Sequence, residues 1–255
     1  KLFHMQNIKS FTSISLKQMN KVKLMNRMDR KYWFRADTLN AILEEVKDDY
    51  YVLEINGVRN MPYATSYFDT SKSAMFTAHH NGKLNRYKIR KRKYEISDLG
   101  FLEIKFKNNK GRTIKKRIPT DTDSMDFSKE EQSFINDSSP YKAEYLKFSL
   151  QNRFNRLTLV NKNYKERCTI DVDLEFFYNG NRMSLSDIAI VEIKTDANAK
   201  SSPLYKALRD YRLRSSGFSK YCIGKSLLDN DLKKNAFKPK LRFIEKTLKT
   251  IKRTS

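Results

Sequence analysis

The chain has 255 residues, and its 52 Lys and Arg against 29 Asp and Glu give a net charge of +23. Hydrophobic residues make up 39% of the chain, which supports a packed core and excludes global disorder, and only seven glycines argue against a glycine-rich phosphate loop. The excess of positive charge repels itself unless an anion is present, so a polyanionic partner is expected: a nucleotide, polyphosphate, nucleic acid or an acidic membrane surface.

The cysteine and histidine content excludes other classes of protein. Cys168 and Cys222 form no C-x-x-C pair and give no disulfide framework, so a reducing, cytoplasmic setting is expected. The three histidines, His4, His79 and His80, do not have the spacing of a zinc site. No uninterrupted apolar run of about 18 residues is present, so no transmembrane segment is predicted.

The N-terminal part of the chain predicts two strands and a helix. Residues 1–24 have the composition of a basic amphipathic segment, and 27–34 are predicted as the first strand. Asp37 is predicted to cap a helix over 38–49, in which apolar residues recur on one face. A second strand is predicted at 63–70.

Strands dominate the middle of the chain, and helices its C-terminal part. Strands are predicted at 84–95, 100–107, 112–118, 151–160, 166–177 and 187–196, with a short helix at 128–136. The pattern turns helical from Pro203, and residues 231–255 have the pattern of a basic C-terminal helix that Pro239 interrupts. No linker divides the chain, so we expect one domain over 1–255 with its core at about 25–230.

Charged residues occupy one face of most predicted strands. In the strand at 84–95 the cations recur at every second position, as Arg86, Lys88, Arg90 and Arg92. Other strands continue this face with Glu103, Lys105 and Lys107, with Lys115 and Arg117, with Asp171 and Asp173, and with Glu192 and Lys194. One such strand alone fits an ordinary antiparallel sheet with a solvated face. Their recurrence would gather cations within a Debye length of about 8 Å, which favours a closed barrel with the charges inside, around a polyphosphate and a metal ion.

Several short motifs, in this order along the chain, belong together. They are Arg30-Lys31-Tyr32-Trp33, Tyr67-Phe68-Asp69, Lys88-Ile89-Arg90, Glu103-Ile104-Lys105, Glu192-Ile193-Lys194 and Phe218-Ser219-Lys220-Tyr221. Their number and order resemble the catalytic domain of the vacuolar transporter chaperone (VTC) family, within the triphosphate tunnel metalloenzyme or CYTH superfamily, over roughly residues 25–230. The resemblance implies an α+β fold, a closed antiparallel eight-stranded β-barrel around a basic tunnel, with flanking N- and C-terminal helices. It also implies a phosphotransferase that makes inorganic polyphosphate from ATP with a divalent metal, whereas relatives in the superfamily hydrolyse triphosphates or cyclise ATP.

The resemblance assigns roles to individual residues. The catalytic phosphate-binding positions are Lys31, Lys88, Arg90, Lys105, Arg156 and Lys220. Further phosphate contacts are expected from Arg86, Arg92, Lys107, Lys115, Arg117 and Lys194. Glu192 matches the glutamate that binds the metal, Mn²⁺ or Mg²⁺, and Glu103, Asp171 and Asp173 are secondary candidates. Asp69 is expected to hold a basic residue in place.

Two departures from the family pattern leave alternatives open. Arg27 and Asp29 precede Lys31 where the wider superfamily has Glu-x-Glu-x-Lys, which weakens a two-metal hydrolase interpretation. The chain shows neither the SPX sensor domain nor the membrane spans of the yeast-type proteins, so a stand-alone member is expected. A polyphosphate polymerase, a hydrolase of triphosphate or short polyphosphate, and a non-catalytic binder of polyphosphate or nucleic acid all remain possible functions.

The positions of the basic residues bear on two possible partners, nucleic acid and a membrane. Nucleic acid is disfavoured because the cations sit opposite apolar residues on strands, rather than on an exposed surface with interleaved aromatics. The basic C-terminal helix is expected to dock on the barrel, with a peripheral membrane surface or a membrane protein as the alternative partner.

Overall fold

The computed structural model describes residues 6–20, 22, 28–195 and 202–252. The strands are β1 (Thr12–Ile14), β2 (Met28–Arg35), β3 (Tyr50–Leu53), β4 (Met61–Thr70), β5 (Arg86–Tyr94), β6 (Leu99–Lys107), β7 (Thr113–Pro119), β8 (Leu146–Asn161), β9 (Glu166–Tyr178), β10 (Asn181–Leu185) and β11 (Ile188–Thr195). The α-helices are α1 (Leu16–Met19), α2 (Leu39–Val46), α3 (Ala74–His80), α4 (Lys129–Ser138), α5 (Pro203–Asp210), α6 (Lys220–Leu228) and α7 (Lys238–Lys252). The α+β class expected from the sequence is confirmed.

All of these strands belong to one sheet. Eight of them form a continuous antiparallel path in the order β2-β11-β9-β8-β4-β5-β6-β7. β10 pairs with β9, while β3 pairs with β8 and carries β1 as a parallel neighbour. Within the described residues, β2 pairs only with β11 and β7 only with β6, so the sheet is open where a barrel would close. The closed eight-stranded barrel expected from the sequence is therefore not formed.

Both strands at the open edge carry basic residues. β2 carries Arg30 and Lys31, and β7 carries Lys115, Lys116 and Arg117. Charged side chains, lysine above all, are a common means by which edge strands avoid pairing. Both end strands instead contribute residues to the wall of one shared cavity.

The sheet curls so that its two halves face each other. Ser219 and Lys220, adjacent residues at the N-terminal end of α6, hydrogen-bond Lys88 of β5 and Asp171 of β9, although β8 and β4 lie between these strands in the sheet order. Because two neighbouring residues reach both strands, Lys88 and Asp171 must point into the same concave space. The charged face of the sheet is therefore its inner face.

Helices cover the opposite, convex face. The main cluster there buries Leu39, Ile42, Leu43 and Val46 of α2 and Leu204, Ala207 and Leu208 of α5 against β2, β8, β9 and β11. The apolar stripe predicted for the first helix is therefore its core face. A second cluster buries Ile135 of α4 against Ile89, Leu102 and Ile104 of β5 and β6.

The last two helices do not simply cover the outside of the sheet. α6 packs on the concave face, where Tyr221 stacks on Tyr67 with ring centroids 5.1 Å apart. Gly224 allows this approach, because a Cβ atom there would lie 2.3 Å from Cδ1 of Phe176 on β9. α7 joins the same cluster, and Pro239 is its second residue, a first-turn position at which proline is tolerated rather than disruptive.

Some local predictions were wrong. α2 begins at Leu39 after a 3₁₀ turn, and Asp37 accepts hydrogen bonds from the side chains of Arg35 and Thr38 instead of capping the helix. The pattern did not reveal β3, β10 or α3. The described part of the predicted basic segment at 1–24 forms a 3₁₀ turn, β1 and α1, and Arg27 lies outside the described residues. In the described part of the chain, no helix combines the length and apolar character that a membrane crossing requires.

Candidate functional site

The concave face brings most of the predicted site residues together. On it lie Lys31 of β2; Arg86, Lys88, Arg90 and Arg92 of β5; Glu103, Lys105 and Lys107 of β6; Lys115 and Arg117 of β7; Arg156 of β8; Asp171 of β9; and Glu192 and Lys194 of β11. Lys220 reaches the same face from the first residue of α6. Residues directly opposite on neighbouring strands point to one side of a sheet, so the period-two pattern of the sequence becomes a continuous charged lining.

Glu103 fixes two of these cations. Its side chain is fully buried, and Arg90 donates to Oε2 from Nε at 2.8 Å and from Nη2 at 2.6 Å. Lys115 donates to Oε1 at 3.2 Å. Burial would raise the pKa of Glu103, but Arg90, Arg92 and Lys115 together lower it well below its usual range. Glu103 is therefore a carboxylate that positions Arg90 on the inner face.

Asp171 has the same function on the other half of the sheet. Arg156 donates to its two oxygens at 2.5 and 2.8 Å, and Lys220 of α6 also donates to it. Burial opposes ionisation, yet Arg156 and Lys220 hold the pKa of Asp171 below its usual range. Burial lowers the pKa of Lys220 to about 8 despite this contact. The carboxylate thus ties the start of α6 to the sheet.

Glu192 is held more loosely than these two carboxylates. Its nearest cations are Lys31 and Lys194, each 3.6 Å away, and its side chain is 22% exposed. Burial would raise the pKa of Glu192, but Lys31, Lys194, Arg156 and Lys105 lower it to about 2. The carboxylate is therefore ionised, and its distance to Lys31 and Lys194 exceeds that of an ordinary hydrogen bond.

Ser219 was missed as a site residue by the sequence analysis. Its hydroxyl accepts a hydrogen bond from Lys88 Nζ at 3.0 Å and another from the backbone amide of Cys222, so it caps α6 while holding a lysine of β5. Burial lowers the pKa of Lys88 to about 8. The signal was available, because serine directly before a helical segment is a common N-cap.

An aromatic pair also lies beneath the cations. Tyr63 and Phe154 stack with ring centroids 5.3 Å apart, and the guanidinium carbons of Arg92 and Arg156 lie 5.2 to 5.7 Å from these two rings. Lys220 Nζ lies 4.3 Å from the centre of Phe154. Attraction to the ring faces offsets part of the mutual repulsion of three close cations. Strand alternation alone does not reveal such a pairing.

A cavity of about 970 Å³ opens from this face between the two end strands. Its basic residues are Arg30, Lys31, Arg86, Lys88, Lys107, Lys110, Arg112 and Lys240, against Asp29 and Glu192 as the acidic ones. The cations therefore exceed the carboxylates by eight to two in this lining. A field of this sign concentrates anions.

Asp173 lies elsewhere, contrary to the expectation that it shares a face with Asp171. A β-bulge shifts the register of β8 and β9 between Arg153 and Asn155, and Asp173 has a φ of 52°. Asp173 accepts a hydrogen bond from Asn155 at 3.0 Å and lines a separate cavity of about 490 Å³. The bulge reverses the alternation that the prediction assumed.

Asp69 also differs from its expected role. Its carboxylate accepts hydrogen bonds from the backbone amides of Thr70, Met75 and Phe76 at 2.7 to 2.9 Å, and from the Tyr221 hydroxyl at 2.6 Å. It therefore fastens α3 and α6 to the end of β4 instead of holding a basic residue.

The carboxylates fit a divalent cation only in combination with phosphate oxygens. Among the described residues, no group of three His, Cys, Asp or Glu could hold a metal ion by itself. Mg²⁺-type sites, however, commonly use one or two carboxylates plus substrate phosphates. Glu192 suits this chemistry. Both oxygens of Glu103 and of Asp171 are already hydrogen-bonded to cations, so these two fit it less well.

Together the fold and the site define a curled antiparallel sheet whose basic inner face opens into a cavity suited to a polyanion. Residues 26–229 match the VTC domain family, and because the match spans most of the chain, the protein belongs to that family. No curated protein matches the chain.

Solved structures are similar to this chain at low sequence identity. A "putative adenylate cyclase" from Bacillus halodurans has a TM-score of 0.50 at 11% identity, over 76% of this chain and 96% of that chain. A similarly named protein of Vibrio parahaemolyticus has a TM-score of 0.46 at 15% identity, over 80% and 99%. A Hippeastrum protein of the adenylyl cyclase type, for which a dominant triphosphatase activity is stated, has a TM-score of 0.49 at 13% identity, over 78% and 96%. The likeness to the Bacillus halodurans protein concerns the fold alone.

Proposed function

We propose that this protein is a metal-dependent polyphosphate polymerase, which transfers the γ-phosphate of ATP onto a growing inorganic polyphosphate chain. Membership of the VTC domain family supports the proposal. The observation that carries it is the convergence of cations from β2, β5, β6, β8, β11 and α6 on one concave face. A nucleoside triphosphate and a polyphosphate chain both present the successive phosphate groups that such a face can bind.

The cations would act by position and charge. Transfer of a γ-phosphate needs its negative charge neutralised and the attacking and leaving oxygens held in line. Arg90 and Arg156 offer planar forks for phosphate oxygens, and each is already held in place by a buried carboxylate. Because these side chains stand on strands, they need little reorganisation when the substrate binds.

The nucleophile in this proposal comes from the substrate. The terminal phosphate of the growing chain attacks the γ-phosphorus, the bond to the β-phosphate oxygen breaks, and ADP leaves. The chain gains one phosphate for every ADP released. Lys31 and Lys105 both lower the pKa of Glu192 through their charge and would neutralise the transferred group.

Glu192 is the residue that we assign to the metal, Mn²⁺ or Mg²⁺. Bound there with phosphate oxygens, the ion would neutralise charge that develops on the transferred phosphate. Glu103 and Asp171 serve in the proposal as positioning residues for the two arginines.

Hydrolysis of triphosphate or short polyphosphate is the second candidate function. It is favoured by the open edge between β2 and β7, through which water can reach the cavity. Nucleic-acid binding is less suitable, because Arg90, Arg92 and Glu103 are buried on the inner face rather than displayed on an outer surface. A cytoplasmic location belongs to the proposal as well, since Cys168 and Cys222 are both free.

The metal assignment is tested by Glu192→Gln, with Glu144→Gln as a control that removes an exposed carboxylate away from the cavity. We expect the Glu192 variant to lose Mn²⁺-dependent turnover of ATP while it still binds tripolyphosphate, because the cations remain. The control should keep both properties. Full turnover by the Glu192 variant would show that the metal assignment is wrong.

A further inference from the structure

The start of α7 forms part of the cavity wall, although the family match ends at residue 229. Phe237, just before α7, is 7% exposed, and its ring centroid lies 5.6 to 6.0 Å from those of Phe76, His79 and His80 on α3. The backbone amide of Ala236 donates to His80 Nε2 at 3.2 Å. Aromatic packing and this hydrogen bond therefore fix the N-terminal end of α7 beside α3.

Lys240 extends from this fixed end into the cavity lining. Its ammonium donates to the backbone carbonyl of Gly217, two residues before the Ser219 that holds Lys88. Burial lowers the pKa of Lys240, and nearby Lys31 contributes to the shift. Its positive charge adds to that of the other cations in the cavity lining.

We define the mouth of the cavity as Arg86, Lys107, Lys110, Arg112 and Lys240. These cations come from β5, β6, the β6–β7 turn and α7, whereas Asp29 and Glu192, the acidic residues of the lining, lie on β2 and β11. The mouth and the Lys31–Glu192 pair line one continuous cavity. A ligand that satisfies both ends must therefore be a polyanion with charges spread along its length.

His79 of α3 lies in the same cavity lining as the mouth residues. Its ring packs edge-on against Phe237 at a centroid distance of 6.0 Å. Burial, followed by Lys88, Arg86, Lys107 and Lys240, lowers the pKa of His79 to about 3. An anion placed among these cations would oppose their part of the shift and raise the pKa of His79.

We propose that the mouth is a second phosphate-binding subsite, which holds the polyphosphate chain beyond the reacting phosphate, and that α7 completes it with Lys240. The inference rests on the proposed function in taking polyphosphate as the ligand. The subsite adds α7, a segment outside the family match, to the binding surface. It would distinguish long polyphosphate chains from short ones, because a short chain reaches only the Lys31–Glu192 end of the cavity.

The test compares Lys240→Ala with Arg242→Ala, which removes one exposed cation of α7 that does not line the cavity. Affinity is measured for tripolyphosphate and for long-chain polyphosphate without ATP. We expect Lys240→Ala to weaken long-chain binding roughly fivefold and to lower the slope of log affinity against log salt by about one. Tripolyphosphate binding should stay unchanged, Lys240→Arg should restore the long-chain affinity, and Arg242→Ala should resemble the unmodified protein. Equal losses for both ligands, no loss for either, or equal effects of both alanine variants would overturn the proposal.

A nuclear magnetic resonance titration gives an independent measure of occupancy. The chain has three histidines, His4, His79 and His80, so His79→Gln identifies the signal. Long-chain polyphosphate should raise the pKa of His79, while tripolyphosphate leaves it near its free value. An unchanged pKa with bound long-chain polyphosphate would place the chain elsewhere.

Failure of the proposed function is distinguishable from failure of the subsite. If the protein binds long-chain polyphosphate through Lys240 but makes none from ATP, the subsite stands and the polymerase assignment fails. If it makes polymer and Lys240→Ala changes neither long-chain affinity nor the His79 signal, the subsite alone fails.

Discussion

Gly224→Ala tests whether the close approach of α6 to the sheet positions the cations of the site. A methyl group at Gly224 would lie 2.3 Å from Cδ1 and 2.7 Å from Cε1 of Phe176, and 2.8 Å from Cδ2 of Leu150. Ordinary contacts at such a position are 3.4 to 4 Å, so α6 or the fully buried Phe176 ring must move by about 1 Å.

The expected change in stability combines two opposing contributions. Overpacking a filled core lowers the free energy of unfolding by about 1–3 kcal/mol. Alanine gains about 1 kcal/mol over glycine as a helix former. The net loss is about 0–2 kcal/mol, and each kcal/mol lowers the melting temperature by roughly 2–4 °C in a chain of this size.

Movement of α6 should also weaken anion binding, because Ser219 and Lys220 lie at the N-terminal end of that helix. Differential scanning calorimetry gives the melting temperature, and isothermal titration with tripolyphosphate gives the affinity. Gly217→Ala is the matched control, since its added methyl group would meet only Lys240 Nζ, at 4.0 Å. A Gly224 variant as stable as the unmodified protein, with unchanged tripolyphosphate affinity, would refute the reasoning.

Three further predictions concern charge. Lys91→Met should lower the free energy of unfolding by about 3 kcal/mol or more, because the buried Lys91 ammonium donates to three backbone carbonyls and pairs with a glutamate on the convex side. Urea unfolding measures this loss, and an unchanged free energy of unfolding would contradict the prediction. The affinity for tripolyphosphate should be highest below about pH 8 and fall at higher pH, because Lys88 and Lys220, each with a pKa of about 8, lose their charge. Lys220→Arg should make the affinity less dependent on pH. An equal affinity at pH 7 and pH 9.5 would count against deprotonation of these lysines as the cause. The free energy of unfolding should fall on acidification, because Glu103 and Asp171 have lower pKa values in the folded protein than in the unfolded chain, where they are 4.5 and 3.8. The stability that these carboxylates contribute is complete above the unfolded pKa values and is lost as the pH drops below them. Unfolding curves that stay the same from pH 7 to pH 3 would exclude this linkage.

The inner face could be predicted from sequence because strand alternation has a fixed period. Arg86, Lys88, Arg90 and Arg92 all point inward, as the two-residue repeat requires, and the predicted strand bounds there agree within two residues. The family resemblance assigned Lys220 to the phosphate-binding positions, and the structure brings it to this face beside Asp171.

Features that depend on tertiary packing were not predictable in this way. The bulge at Asp173 breaks the repeat without a glycine to mark it. Closure of the barrel depends on whether β2 and β7 meet, which no local pattern determines. His79 and His80 belong to α3, a seven-residue helix that packs against Phe237, a residue distant in sequence.

The most direct test of the account is an assay of the purified protein with ATP and Mn²⁺ that follows ADP, free phosphate and long-chain polyphosphate together. The account predicts that ADP and chain-bound phosphate rise in equal amounts, with little free phosphate. ADP and free phosphate without polymer would contradict the polymerase assignment and favour hydrolysis. Tight binding of polyphosphate without turnover of ATP would contradict both and leave a binding protein with the same basic face.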